Sequence, residues 1–594
     1  MFPPQTSLIP VTVALARFTE EFISSEGWLA TLKLAGAWYP YWYLGVPFRY
    51  LTGPIVPLFL FIARRILPNV SLFASSIYLL GISFAMGAFG WGAFSAKVTK
   101  SKKVGLVVAV LLSFLPWRYF SSIALSETSE VIAKNFLPYA LIAFFVYLKN
   151  KNKGRAFLSI LAISTLFLIN TSIIPILLVG MVSLILAVSF SKGKFTRLTK
   201  HIKLSLITLS FALILVTLWY TPGYWLTVIL NPSIGGAAGY KVFLRIVDLL
   251  KVSLPLVFAI AAVYFSGKIK SRLLVFSLTW TLTFIFLTVF RFIGDPDFWQ
   301  DWTSWVFELE TGIALIAALP LAELFRKLNG KKTDVIYSIK IYIVIFAGLV
   351  TSFLVTKYIY SVLGKPRLIS KEPPEGVKSL SVLADIAEDK RVFLSGSTVF
   401  WANALYDLVQ VRGGVDKAAI HPLWDHAAYQ LREGKDADLA LVWLQTLGVE
   451  YVLVHGPASA ESYHDFRYLD KWKSVGQEVW QGEGDIIYKI SNSSLAWEVD
   501  SEKVRSAKKP QNGQDLEALE FYLSARVFPV HLSSTVWGYK ITSEQPMNSV
   551  LLIANFDKRW NALTNGGRKI QIQKDSLGNM LIFPQLEKEI LLKE

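Results

Sequence analysis

The chain has 594 residues, of which 53% are hydrophobic and only 17% charged, with a mean hydropathy of +0.45; this is too apolar for an ordinary water-soluble protein. The formal charge of +17 is no nucleic-acid footprint, because much of it sits in short clusters between apolar runs, where it sets topology and meets anionic lipid. The absence of cysteine excludes disulfides, thiolate metal sites and cysteine nucleophiles together.

In chain order, Val11–Leu34 mixes apolar residues with Arg17, Glu20, Glu21, Glu26 and Lys33, the pattern of a helix lying in the membrane interface. Pro54–Leu67 is apolar but too short to cross, and it ends in Arg64-Arg65. It reads as an interfacial or re-entrant helix whose arginines snorkel to headgroups. Apolar runs of membrane length then predict about ten spans, near 72–95, 104–118, 131–148, 156–173, 174–190, 203–220, 248–266, 272–292, 306–325 and 336–358. Basic clusters fall in alternate connections: Lys97–Lys103, Lys149–Arg155, Lys192–Lys203, Lys268–Arg272 and Arg326–Lys332. Assigning them to the cytoplasm places residues 1–70 and everything after about 360 outside. An outer N terminus leads to the further expectation of a first span preceding Met1.

After Tyr360 the composition changes. Lys365-Pro366 and Glu372-Pro373-Pro374 mark a linker over 361–375. Buried strands are expected at Arg391–Ser395, Tyr451–Val454 and Ile486–Ile490, with helices around Val377–Ala387 and Ala437–Leu447, giving an extracytoplasmic α/β domain over 376–495. Ala525–Leu532, Ser549–Asn555 and Lys569–Gln573, with turns at Asn565-Gly566-Gly567 and Leu577-Gly578-Asn579, predict a β-sandwich over 496–594. The expected fold class is therefore a polytopic α-helical membrane bundle over 71–360 followed by two outer domains.

The densest aromatic stretch runs from Trp38 to Pro54, as W-x-P-x-W-x-x-G-x-P ending in Gly53-Pro54. Its glycines and prolines enforce a non-helical path, and its rings either form an interfacial belt or offer stacking faces to a sugar or an isoprenoid. This run, followed by a short apolar helix and many spans, resembles the GT-C superfamily of membrane glycosyltransferases. Within it the chain looks most like the proteins labelled "6-pyruvoyl-tetrahydropterin synthase-related", a label that implies no pterin chemistry. Leu447–His455 and Trp560-Asn561-Ala562 are also similar to the tail domains of such proteins. The resemblance implies transfer of a sugar from a polyprenyl-phosphate donor, at the outer membrane face, to a lipid or glycan acceptor in envelope assembly. Such chemistry needs a carboxylate to deprotonate the acceptor hydroxyl, or to bind a divalent cation such as Mg or Mn, and a cation to hold the departing phosphate.

The family's acidic residue lies on the first outer loop, for which Glu20 and Glu21 are the displaced counterparts here. Glu308 and Glu310 are added as catalytic candidates because carboxylates entering an apolar span are costly unless they face a cavity or a partner. Trp38, Tyr41, Trp42, Arg49, Arg291 and Trp302 are the candidate substrate-binding residues. Glu127 and Glu130, three apart at the mouth of a span, are the candidate metal ligands. Asp295, Asp297 and Asp301 form a further acidic loop, and Arg118, Lys134, Arg245 and Arg291 are the cations available to pair with these carboxylates. His421 and His426 do not have zinc-motif spacing, and Gly235–Gly239 lacks the Lys and Ser/Thr of a phosphate loop. Two other classes compete: a lipid-linked glycan transporter, which predicts paired half-sequences with interrupted spans, and a membrane-anchored glycan-binding scaffold, for which so many spans are more than an anchor needs.

Overall fold

The computed structural model describes residues 1–191, 194–230, 247, 254–259, 261–262, 271–290, 302–328, 369–416, 419–535 and 538–593. Two compact units emerge: Met1–Ile9 with Phe73–Leu218 and Phe243–Ser370, and Pro10–Leu72 with Trp219–Val242 and Lys371–Glu594.

The first unit is helical. Leu72–Thr99, Thr128–Asn150, Lys153–Ile169, Ile174–Ser189, Leu198–Val216, Arg272–Phe290 and Trp302–Leu328 follow the apolar runs seen in the sequence. Among the described residues five helices are long and apolar enough to cross a membrane, or six if one bent pair is a single span; the expected number was about ten. The span expected near 336–358 lies outside the described residues, and only pieces of the one near 248–266 are described. Large apolar side chains such as Ile82, Phe89, Leu206 and Ile214 are each more than half exposed, which suits a lipid-facing surface.

The expected span 104–118 is two helices, Lys102–Ser113 and Pro116–Ala124, bent by 50°. Pro116 is the cause: it has no N–H to donate, and it forces Leu115 into an extended conformation (ψ 112°). At the other end of this pair, a Cβ on Gly105 would approach the Gly92 carbonyl oxygen to 2.5 Å. Only glycine permits the helices to cross so closely.

The second unit holds two sheets. In the first the order is Val409–Gln410, Arg391–Phe393, Val449–His455, Asp485–Lys489, Gln477–Gly482; the first three strands are parallel and the last two antiparallel. The expected helices appear beside it as Ser379–Ala387 and Ala437–Thr446. The second sheet is antiparallel and runs Arg526–Pro529, Ala496–Val499, Val550–Asn555, Asn579–Phe583, Lys569–Lys574, Asn561–Thr564, Glu587–Lys593, Gly538–Met547, His531–Thr535. Leu552 and Ile582 from one half of it share a buried core with Ile541 and Leu592 from the other, so the sheet closes over its own apolar face.

Residues 10–72 cluster with this second unit. The helix Ile9–Glu26 is buried along Val11, Leu15 and Ala16, and Val11 sits so close to Gly414 that a Cβ there would clash. The apolar residues of this helix are covered by protein, whereas Trp28, Leu29 and Leu32, in the rest of the stretch expected at the interface, are 62%, 76% and 83% exposed. The helix Ile55–Ile66 does keep an amphipathic outer face, with Phe59 and Ile66 at least half exposed. Arg64 caps its end through the Pro68 and Val70 carbonyls (2.6 and 2.8 Å), as expected for a cation at a helix C terminus.

Candidate functional site

Charged side chains inside an apolar bundle are costly, so where they gather is informative. In the helical unit Arg118 is 2% exposed. Its Nη1 donates to Thr311 Oγ1 (2.7 Å) and its Nη2 to Asn135 Oδ1 (2.9 Å). Asn135 Nδ2 in turn donates to Ser83 Oγ (3.0 Å). Asn135 fits only because position 87 is glycine, where any Cβ would collide with its amide. Lys134, equally buried, pairs with Glu130 at 2.5 Å. The Arg118 guanidinium and the Lys134 ammonium both lie over the Phe307 ring, 4.2 and 5.2 Å from its centroid.

Glu308 follows Phe307 directly. It is 1% exposed and interacts electrostatically with Lys134, Arg118 and Glu130. Neither of its carboxylate oxygens meets a hydrogen-bond donor among the described residues. Its backbone carbonyl is fixed by Trp280 Nε1 (2.8 Å), so the main chain is positioned while the carboxylate oxygens stay buried and unpaired among the described residues. Glu310 faces the backbone N–H groups of Trp117 and Arg118, which the Pro116 break leaves at a helix start; its Oε2 has no partner among the described residues. Further orphaned polar atoms come from the same elements: Trp117 Nε1, Trp305 Nε1 and Thr281 Oγ1. Native structures leave few such groups, and each calls for an explanation.

The described charges do not balance. Glu130, Glu308 and Glu310 stand against Arg118 and Lys134, leaving one negative charge in excess. Such a cluster attracts a proton or an incoming donor group.

The candidate metal ligands are otherwise engaged. Glu127 accepts from Ser129 Oγ (2.5 Å) and Asn170 Nδ2 (3.4 Å), and Glu130 holds Lys134. Among the described residues no group of three or more His, Cys, Asp or Glu is placed to hold a metal ion, and the two cations beside Glu308 oppose one there. The described residues therefore do not fit a divalent cation.

The other candidates lie in the second unit or outside the described residues. Arg291, Arg245, Asp295, Asp297, Asp301 and Gly235–Gly239 lie outside, as does the side chain of Trp302. Glu21 pairs with Arg17 (3.2 Å), which also holds Asp407 (2.8 Å). Burial, and then Asp407, push the Glu21 carboxyl above its usual range. Glu20 is adjacent on the same helix. Trp42 is fully enclosed and donates to Asn403 Oδ1 (2.7 Å). Trp38 is 3% exposed and meets Trp560 edge-on at 5.0 Å. The faces that would stack on a ligand are thus covered by protein, because the Gly45 turn folds the segment back on itself, Trp38 pairing with Pro47. Tyr41 and Arg49 stay partly exposed, and Arg49 acts electrostatically on Asp557.

Sequence reasoning missed a second polar cluster, in the α/β part. Ser395–Ser397 follows the strand Arg391–Phe393 and opens the helix Thr398–Leu405. Glu461 accepts from Ser397 N (2.8 Å), Ser397 Oγ (2.7 Å) and Tyr463 N (3.1 Å). Asp465 accepts from Ser395 Oγ (2.6 Å) and Gly396 N (3.2 Å) and pairs with Arg432 at 3.4 Å. Burial works to raise the Asp465 carboxyl, but Ser395 and the two arginines Arg432 and Arg412 outweigh it and hold it below the usual range. Both carboxylates act within the protein, as fillers of an anion-binding turn.

No protein-family model matches this chain, and no curated protein does. Among solved structures it is similar to the Archaeoglobus fulgidus oligosaccharyltransferase in the apo form, with 12% identity over 75% of this chain and 69% of that one, at a TM-score of 0.46. The Archaeoglobus fulgidus enzyme AglB in complex with an inhibitory peptide and a dolichol-phosphate gives 10% identity over 74% and 65%, at 0.44. The arabinofuranosyltransferase AftD from Mycobacteria gives 12% identity at 0.44, and there the chain spans only 55% of its counterpart.

Proposed function

We propose that the chain is a GT-C-like membrane glycosyltransferase that takes a sugar from a polyprenyl-phosphate donor at the outer membrane face and passes it to a lipid or glycan acceptor in the cell envelope. The carrying observation is Glu308, a carboxylate buried in an apolar helix near Arg118 and Lys134 with both oxygens unpaired among the described residues. A carboxylate so placed is suited to take the proton of an acceptor hydroxyl. The freed oxygen then bonds to the anomeric carbon of the donor sugar, and the bond from that carbon to the phosphate oxygen breaks with its electron pair. Arg118 and Lys134 offset the charge gathering on the departing phosphate, and Glu310 anchors the helix that carries Arg118. Arg291, Trp302, Tyr41 and Arg49 are kept as candidates for substrate binding on their residue types alone. Glu20 and Glu21 are secondary candidates for the base. The basic connections support a reaction on the side opposite the cytoplasm.

The test is transfer of radiolabel from a polyprenyl-phosphate-linked hexose or pentose by the full chain in proteoliposomes. Glu308→Gln is expected to lower turnover about 100-fold or more, with Glu21→Gln close to wild type. A wild-type chain that transfers from neither donor class, or a Glu308→Gln variant with full turnover, overturns the reading.

A further inference from the structure

In the antiparallel sheet a cleft of about 190 Å³ opens between the turn 556–560 and the strands Asn561–Thr564 and Lys569–Lys574. That is the volume of about six waters at roughly 30 Å³ each, enough for one sugar ring and too small for a lipid chain. Its inner side is apolar: Phe556, Ile570 and Ile572 are only partly buried there and rest on the core beneath.

Trp560 supplies the second observation. It is 6% exposed and lines the cleft, with Tyr539 stacked on it at 5.7 Å and Trp38 against it edge-on. Tyr539 covers one face of its ring, and the buried Nε1–H has no acceptor among the described residues. A buried donor with no partner among the described residues is available to an oxygen that reaches it. The mouth carries two exposed amines, Lys558 and Lys569. The one carboxylate on the lining, Asp557, is held on both oxygens by Arg559 (2.9 and 3.0 Å) and is also influenced by Arg49. The cleft therefore has a net positive rim, an apolar inner side and a buried donor.

We propose that this cleft binds one anionic sugar residue, its acidic group on Lys558 and Lys569, the carbon face of its ring on Ile570 and Phe556, and an oxygen on Trp560 Nε1–H. Binding here is independent of the transfer reaction, so either reading can fail alone. The experiment is saturation-transfer NMR on the full chain in nanodiscs, with methyl glucuronide, methyl glucoside and inorganic phosphate as separate probes. Saturable binding of the glucuronide is expected, weakened at least tenfold by Lys558→Ala/Lys569→Ala and reduced by Trp560→Phe, which keeps the ring packing but removes the donor. Equal binding of the neutral glucoside, displacement of the glucuronide by phosphate at matching concentration, or unchanged binding in the double-lysine variant would each overturn the proposal. Both lysines are exposed, so that variant retains the fold.

Discussion

The two buried polar clusters look alike in composition and differ in accounting. Around Glu461 and Asp465 every carboxylate oxygen that is buried has a donor; among the described residues two oxygens of Glu308 have none, and one formal negative charge is uncompensated. Satisfied networks contribute to stability, while orphaned groups reduce it and persist for what they bind. The same mutation, carboxylate to neutral, is thus expected to have opposite signs in the two places.

The largest effect is expected for Glu461→Ala. It strands the Ser397 N–H and hydroxyl in the interior, and should cost about 2–4 kcal/mol, read as a lower melting temperature of the purified chain. Next comes Glu308→Gln, which brings the helical cluster to charge balance and should leave melting unchanged or raise stability by about 1 kcal/mol. If both variants lose stability alike, the contrast between the clusters fails.

A third effect depends on pH. His421 is 1% exposed, accepts from Leu423 N (3.3 Å) through Nδ1 and has no partner at Nε2 among the described residues. Burial first, and then Arg391, push its pKa down to about 3 from 6.5. The folded chain keeps it neutral while the unfolded chain takes a proton below pH 6.5, so the unfolded state binds more protons and stability falls with acidification from that point toward pH 3. The slope is about 1.4 kcal/mol per pH unit, and His421→Leu should flatten it in melts taken from pH 7 to pH 5. The smallest effect belongs to Arg17, whose pairs with Glu21 and Asp407 are a quarter to a half exposed. Arg17→Met should change stability by less than about 1 kcal/mol, and a larger loss would mark that cluster as more than a surface tie.

What the sequence discloses follows from locality. Apolar runs place Leu72–Thr99 or Trp302–Leu328 because a spanning helix declares itself within its own residues. Glu308 and Glu310 stand out because charge in such a run is rare. Asn135 and Thr311 do not, since uncharged polar residues pass unnoticed in an apolar helix, although both hold Arg118. The burial of Ile9–Glu26 and of Trp42 depends on residues nearly 400 positions away, among them Asp407, Gly414 and Asn403. Their aromatic and amphipathic composition alone suits a membrane interface equally well. Glu461 and Asp465 lie on a loop with no periodicity to read, and only the fold brings them to Ser395–Ser397.

The most direct measurement is carboxylate labelling by a hydrophobic carbodiimide on the membrane-embedded chain, followed by peptide mass spectrometry. Modification is expected at Glu308 in preference to Glu130, whose oxygen is held by Lys134, and a polyprenyl-phosphate-linked sugar should protect Glu308 from it. Labelling of Glu308 that is unaffected by that donor, or labelling of Glu130 in its place, would contradict a reacting site at the orphaned carboxylate.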